Sequence, residues 1–157
     1  MTAAHHFTAW LRLGLLFLLL ALHSCSRPDD QVIRQTLLAM KQEAEAGQWD
    51  KLMGHISKHY KDKGGNNYFI ISQLIRNYTA GVGELAVDME ILGVSINEKE
   101  AQAQLKLVVK GKKQGRVYFV VGTDQVPEYP RLWFAKERRE WRLLRVEGIR
   151  GSEESPW

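Results

Sequence analysis

The chain has one cysteine, Cys25, among 157 residues. A lone thiol excludes an internal disulfide framework and any zinc site built on paired cysteines. Proline is scarce too, with four, and no Pro-rich or Gly/Ser-rich tract is long enough to divide the chain into separate units. No internal repeat is present, which excludes solenoid and propeller architectures. The formal net charge of +4 is too small a surplus to imply a nucleic-acid partner. Long hydrophobic runs are also missing: the most apolar segment, Leu13 to Leu22, falls well short of the roughly 20 residues that cross a bilayer as a helix.

That short run is informative for where it stands. Arg12 supplies a positive flank, the apolar core has the length of an export signal, and the only cysteine follows directly. Bacterial lipoprotein signals end in Leu, two small residues and the cysteine that takes the lipid. Here the box reads Leu22-His23-Ser24-Cys25, with His23 departing from the pattern. Lipidation at Cys25 would also cap a thiol otherwise exposed to oxidation outside the cytoplasm. A plainly cleaved secretory signal and an uncleaved N-terminal anchor are the alternatives. Ser26 is not the aspartate that holds lipoproteins in the inner membrane of enteric bacteria, so the periplasmic face of the outer membrane is the expected location. The expected organisation is a signal peptide over 1–24, a lipidated tether over 25–28, one domain over 29–150 and a loose tail over 151–157. A mature chain of about 130 residues suits a single core.

The domain divides into a helical and a strand half. Asp29 or Asp30 is placed to cap a helix whose apolar positions Ile33, Leu37, Met40 and Ala44 recur at helical spacing, with Gly47 closing it. A short second helix is expected from Gln48 to His55. A third runs from about Tyr68 to Ala80 and presents Ile71, Leu74, Ile75 and Tyr78 on one face. From Val82 onward the period changes to two. Leu85, Val87, Met89 and Ile91 alternate with polar residues, and then the apolar phase slips to Leu92, Val94 and Ile96, as a bulge would require. Further strands are expected over Ala101–Val109, Arg116–Thr123, Arg131–Lys136 and Trp141–Ile149, with a turn at Gly111–Gly115. Helices followed by strands predict an α+β fold, three helices on one face of a curved antiparallel sheet.

The three helices, the bulged meander, the segment Ile56-Ser57-Lys58-His59-Tyr60-Lys61-Asp62 and the closing Glu140-Trp141-Arg142-Leu143 together resemble the NTF2-like (SnoaL-like) superfamily, in particular its small bacterial lipoproteins of the nuclear transport factor 2 family type. The resemblance covers roughly residues 29–150. It implies a cone-shaped, cystatin-like fold with a cavity between helices and sheet. Relatives use that cavity for isomerisation, dehydration or cyclisation of apolar ring compounds, or only for binding and dimerisation. Fold alone does not choose between these.

Catalysis in such a cone needs an acid or a His–Asp pair aimed inward. Asp88, Glu90 and Glu100 alternate out of phase with the apolar positions and should face solvent, and Asp124 falls at a strand end. No residue matches a family catalytic motif, so none is assigned. Tyr60 and Asp62 form the expected polar pair at the cavity mouth. His55 and His59 stand four apart but lack a third ligand, so no metal or cofactor is expected. The sequon Asn77-Tyr78-Thr79 falls in a predicted helix and reads as chance.

Two surfaces complete the sequence reading. Strands three and four are apolar on both faces, which predicts a homodimer seam through Tyr118, Val120 and Trp133. In an up-and-down meander the basic turns around Lys112 and Lys113, with Lys110 and Arg116, and around Arg138 and Arg139, with Lys136, would share one end of the sheet and touch anionic envelope surfaces. The expected function is a lipid-anchored, non-catalytic binding or accessory module for a small apolar ligand or an envelope protein; the alternative is an enzyme of the SnoaL-like type.

Overall fold

The computed structural model describes residues 28–149; the signal segment, Cys25 and the tail 151–157 lie outside the described residues. Helix α1 spans Asp29–Glu45, α2 Trp49–Gly54 and α3 Tyr68–Val82. Five strands follow: β1 Glu84–Asn97, β2 Glu100–Lys113, β3 Arg116–Val121, β4 Arg131–Glu137 and β5 Glu140–Glu147. The α+β class and the three-helix, five-strand inventory are as the sequence predicts.

Helix α1 buries Ile33 and Leu37 against the sheet, as their spacing requires. Gly47 ends it in the left-handed region at φ 65°. The Gln48 amide then donates to Glu43 O and the Gly47 amide to Ala44 O, the paired bonds of a Schellman closure. The other end differs from expectation. Neither Asp29 nor Asp30 caps the helix, because Pro28 occupies the cap position without a side-chain bond. Asp29 reaches across to the sheet instead, accepting from Lys136 Nζ at 2.8 Å and from Trp141 Nε1 at 3.0 Å. Helix α3 has a true cap: Asn67 Oδ1 accepts from the amides of Phe69 and Ile70 at 3.0 Å.

The hydrogen bonds from Lys136 first, and from Trp141 second, hold the Asp29 carboxyl below its ordinary range, against an opposing effect of burial. A carboxylate depressed in the folded state stabilises it above the unfolded-state pKa, and that contribution disappears as pH falls through the folded value. Asp29→Asn is therefore expected to lower the urea midpoint at pH 7 and to converge with the parent near pH 2. An equal gap at both pH values would remove Asp29 from that role.

The sheet is bent where the apolar phase slips: register passes from Ile91 opposite Leu105 to Gly93 opposite Gln104, leaving Leu92 as the bulge. Strand β2 outlasts expectation. Gly111 is a buried strand position opposite Leu85 and Tyr118, and the turn falls at Gln114 and Gly115, both at positive φ as a two-residue hairpin demands. A larger correction concerns β3 and β4, which are not neighbours. Both run antiparallel along one edge of β2, β3 opposite Val109–Lys113 and β4 opposite Glu100–Gln104. They are two halves of one lane, interrupted by an excursion that keeps touching β2 through the Glu128 and Leu107 backbones. On the far side, β5 has β4 as its one partner among the described strands. Its own outer edge is covered by the segment after α2, where Ser57 N donates to Leu143 O and Leu143 N to His55 O at 2.8 Å.

The core lies between α1, the segment Met53–Tyr60 and the sheet, and is built on Ile33, Leu37, Ile56, Leu105, Phe134, Trp141 and Leu143.

Candidate functional site

Beside that core, α3 does not close down on the sheet. Met40, Ile71, Leu74 and Ile75 from the helices face Leu105, Leu107, Leu132, Leu143 and Val146 across a cavity of about 450 Å³. This is the size of a small-molecule site and its walls are almost wholly apolar. Polar groups gather at one end, where Tyr60, Asp62, Lys63, Asn66 and Glu147 line it.

Tyr60 and Asp62 do stand together at the cavity. Tyr60 is only 4% exposed, and its hydroxyl lies 3.4 Å from Asp62 Oδ2. Burial, and then the Asp62 charge, raise the phenol well above its ordinary pKa, so the hydroxyl stays protonated, with its one proton donated to Asp62. Asp62 is already engaged. Its Oδ1 accepts from the Asn66 amide and its Oδ2 from Asn66 Nδ2, both at 2.9 Å, which closes the turn over residues 62–66. The pair therefore lines the mouth, with the Tyr60 hydroxyl turned to Asp62 and Asp62 to the turn.

Glu147 was not legible as a site residue. Its side chain is 8% exposed and is met by three cations, Arg145 Nε at 3.0 Å, Lys63 Nζ at 3.4 Å and Arg131 Nη2 at 3.9 Å. The two carboxylates at the cavity are thus both held in fixed pairs, one by an amide and a turn, the other by cations. General acid–base chemistry asks for a carboxyl free to exchange its proton with substrate. Asp88, Glu90 and Glu100 are exposed, and Asp124 pairs with Lys110 at 2.6 Å.

The histidines are not on one helical face, because α2 ends at Gly54. His55 Nε2 lies 3.1 Å from Glu43 Oε2, and the His59 amide donates to Ser57 Oγ. Among the described residues no group of three His, Cys, Asp or Glu side chains is placed to hold a metal ion.

The two surface expectations are both divided by the strand register. Tyr118 stands opposite Gly111, in phase with Ala101 and Leu105 on the helix side, whereas Trp133 stands opposite Gln102 on the other face. Val120 is skipped in the pairing as the bulge of β3. Tyr118, Val120 and Trp133 therefore do not form one seam, and Trp133 already lies under the Arg145 guanidinium, 4.8 Å from the ring centre. The basic turns separate for a related reason. With β3 and β4 in one lane, Lys112 and Lys113 sit at one end of β2 while Arg138 and Arg139 sit beyond the other, roughly 40 Å along the strand at about 3.4 Å per residue.

No protein-family model matches the chain, and its sequence brings up no match among curated proteins. Solved structures do match in shape. An NTF2-like protein with a cystatin-like fold from Novosphingobium aromaticivorans superposes with a TM-score of 0.59 at 19% identity, covering 94% of this chain and 89% of that one. A provisionally assigned dehydratase of the NTF2-like family from Streptomyces avermitilis gives 0.61 at 9% identity, with coverage of 74% and 91%. Bd1075 of Bdellovibrio bacteriovorus gives 0.62 at 12% identity; 75% of this chain matches, spanning only 40% of that protein's length. The fold is the NTF2-like, cystatin-like cone that the sequence predicts.

Proposed function

We propose that this chain is a lipid-anchored protein of the bacterial cell envelope whose cone binds a small apolar ligand without acting on it chemically. The cavity carries the reading: about 450 Å³, apolar along its walls, with polar groups at one end and both of its carboxylates already paired. The Leu22-His23-Ser24-Cys25 box supports the anchor, and three residues separate Cys25 from Asp29, where the domain begins. A second reading has one observation in its favour. The Tyr60 hydroxyl lines the apolar cavity, and if it exchanged its bond to Asp62 for one to a substrate oxygen it would be a donor of the kind an isomerase, dehydratase or cyclase uses.

The test is a titration of the protein with N-phenyl-1-naphthylamine, an apolar dye that brightens when shielded from water. A saturable, one-to-one rise is expected. Fluorescence that never exceeds that of free dye contradicts the binding cone. Radiolabelled palmitate, incorporated by the parent and not by Cys25→Ala, tests the anchor separately.

A further inference from the structure

The walls of the cavity accept any apolar body of the right size, whereas its mouth is chemically selective. Two neutral donors there are already spent, since the Tyr60 hydroxyl and the Asn66 side-chain amide both turn to Asp62. What remains to meet the head of a ligand is charge. Lys63 lines the mouth with its side chain 64% exposed, as expected of a lysine that lays its stem on an apolar wall and keeps its ammonium in water.

The charge at this rim is one-sided. Glu147 is a single carboxylate shared among Lys63, Arg131 and Arg145, so three positive groups gather around one negative one. Asp62 offsets a second cation. Lys61 adds another, because the depression beside the cavity shares Asp62 and Lys63 with it and is lined also by Lys61 and Arg145. The rim thus sets four cations against two carboxylates. Glu100 lines the far side of that depression opposite Ala135, four residues along β4 from Arg131, or about 14 Å at about 3.4 Å per residue. That exceeds the screening length of about 8 Å in physiological salt. A positive rim over low-dielectric walls draws an anion to the mouth.

We infer, building on the binding cone proposed above, that the ligand is an amphiphile with one anionic head. Its apolar body fills the space between α3 and the sheet, and its carboxylate or phosphate stays at the rim against Lys63, with Lys61, Arg131 and Arg145 adding attraction from further off. A head held at the rim keeps part of its water, so the site needs no buried charge partner for it. The apolar walls then supply affinity, and the rim chooses among molecules with the same tail.

Dodecanoate, dodecyl phosphate, dodecanol and dodecylamine share one kind of tail and differ in the head. Each is titrated, below micelle formation, against N-phenyl-1-naphthylamine bound to the full chain. At least one of the two anions is expected to displace the dye at a concentration tenfold or more below that needed for dodecylamine, with dodecanol between them; the better anion names the head. Raising salt from about 0.05 M to about 0.5 M on the unaltered chain should narrow the gap. Lys63→Glu should close or reverse it. Dye binding without preference for either anion would overturn the anionic head while leaving the binding cone standing. A preference that survives both added salt and Lys63→Glu in full would overturn it as well. Absence of dye binding is the separate result that removes the cone itself, and this inference with it.

Discussion

Phe134→Ala is expected to lower the free energy of unfolding by about 3–5 kcal/mol, the usual range for emptying a buried phenylalanine site. Phe134 is 1% exposed and stands opposite Ala101 on β2 and Leu143 on β5, so it fills the middle of the sheet's inner face between two strands. Ala101 is too small to move into the space, and Leu143 is held by backbone bonds to both Ser57 and His55. The cavity left behind should therefore persist rather than collapse. Against a total of about 5–15 kcal/mol for a domain of this size, the loss removes a large part of the stability. Urea unfolding at pH 7 measures it, with Phe119→Ala on the exposed β3 face as the comparison, expected to change stability by less than about 1 kcal/mol. A Phe134→Ala loss of under 1 kcal/mol would mean that the core is not packed as described.

Plugging the cavity should abolish dye binding while leaving the fold in place. Leu107 on the sheet and Ile75 on α3 line opposite walls, so Leu107→Trp with Ile75→Trp pushes two indoles into the same space. In a well-packed core such enlargement costs about 1–3 kcal/mol through strained rotamers. In an open cavity of about 450 Å³ the rings enter empty space instead. The expected result is at least a tenfold loss of N-phenyl-1-naphthylamine affinity, about 1.4 kcal/mol, with an unchanged or raised melting temperature. Unchanged dye affinity would place the dye elsewhere, and a falling melting temperature would show that the parent cavity is already filled by its own side chains.

Local signals in the sequence carried most of the architecture. Steps of four, three and four along Ile33, Leu37, Met40 and Ala44 define a helical face, and the one-residue slip after Ile91 marks a bulge, because both depend only on near neighbours along the chain. What failed was non-local. Gly111 looks like a turn residue but sits mid-strand, where two neighbouring strands flank it; the turn belongs to Gln114 and Gly115, which adopt positive φ. Nothing in Arg116–Val121 or Arg131–Glu137 tells that they share one edge of β2, and both surface expectations depended on that pairing. At the cavity, Tyr60 and Asp62 were readable because they are two residues apart. Glu147 and its cations Lys63, Arg131 and Arg145 were not, since Lys63 and Arg131 reach it only through the fold. Asp29 was misread for the same reason: its partners Lys136 and Trp141 lie more than a hundred residues away.

Native mass spectrometry of the protein purified from its own envelope tests the binding cone most directly. An apolar adduct at one per chain, lost from the Leu107→Trp, Ile75→Trp variant, is the predicted result. A chain that flies without adduct from every preparation, and that also fails to bind N-phenyl-1-naphthylamine, would contradict the claim that the cone is a ligand site.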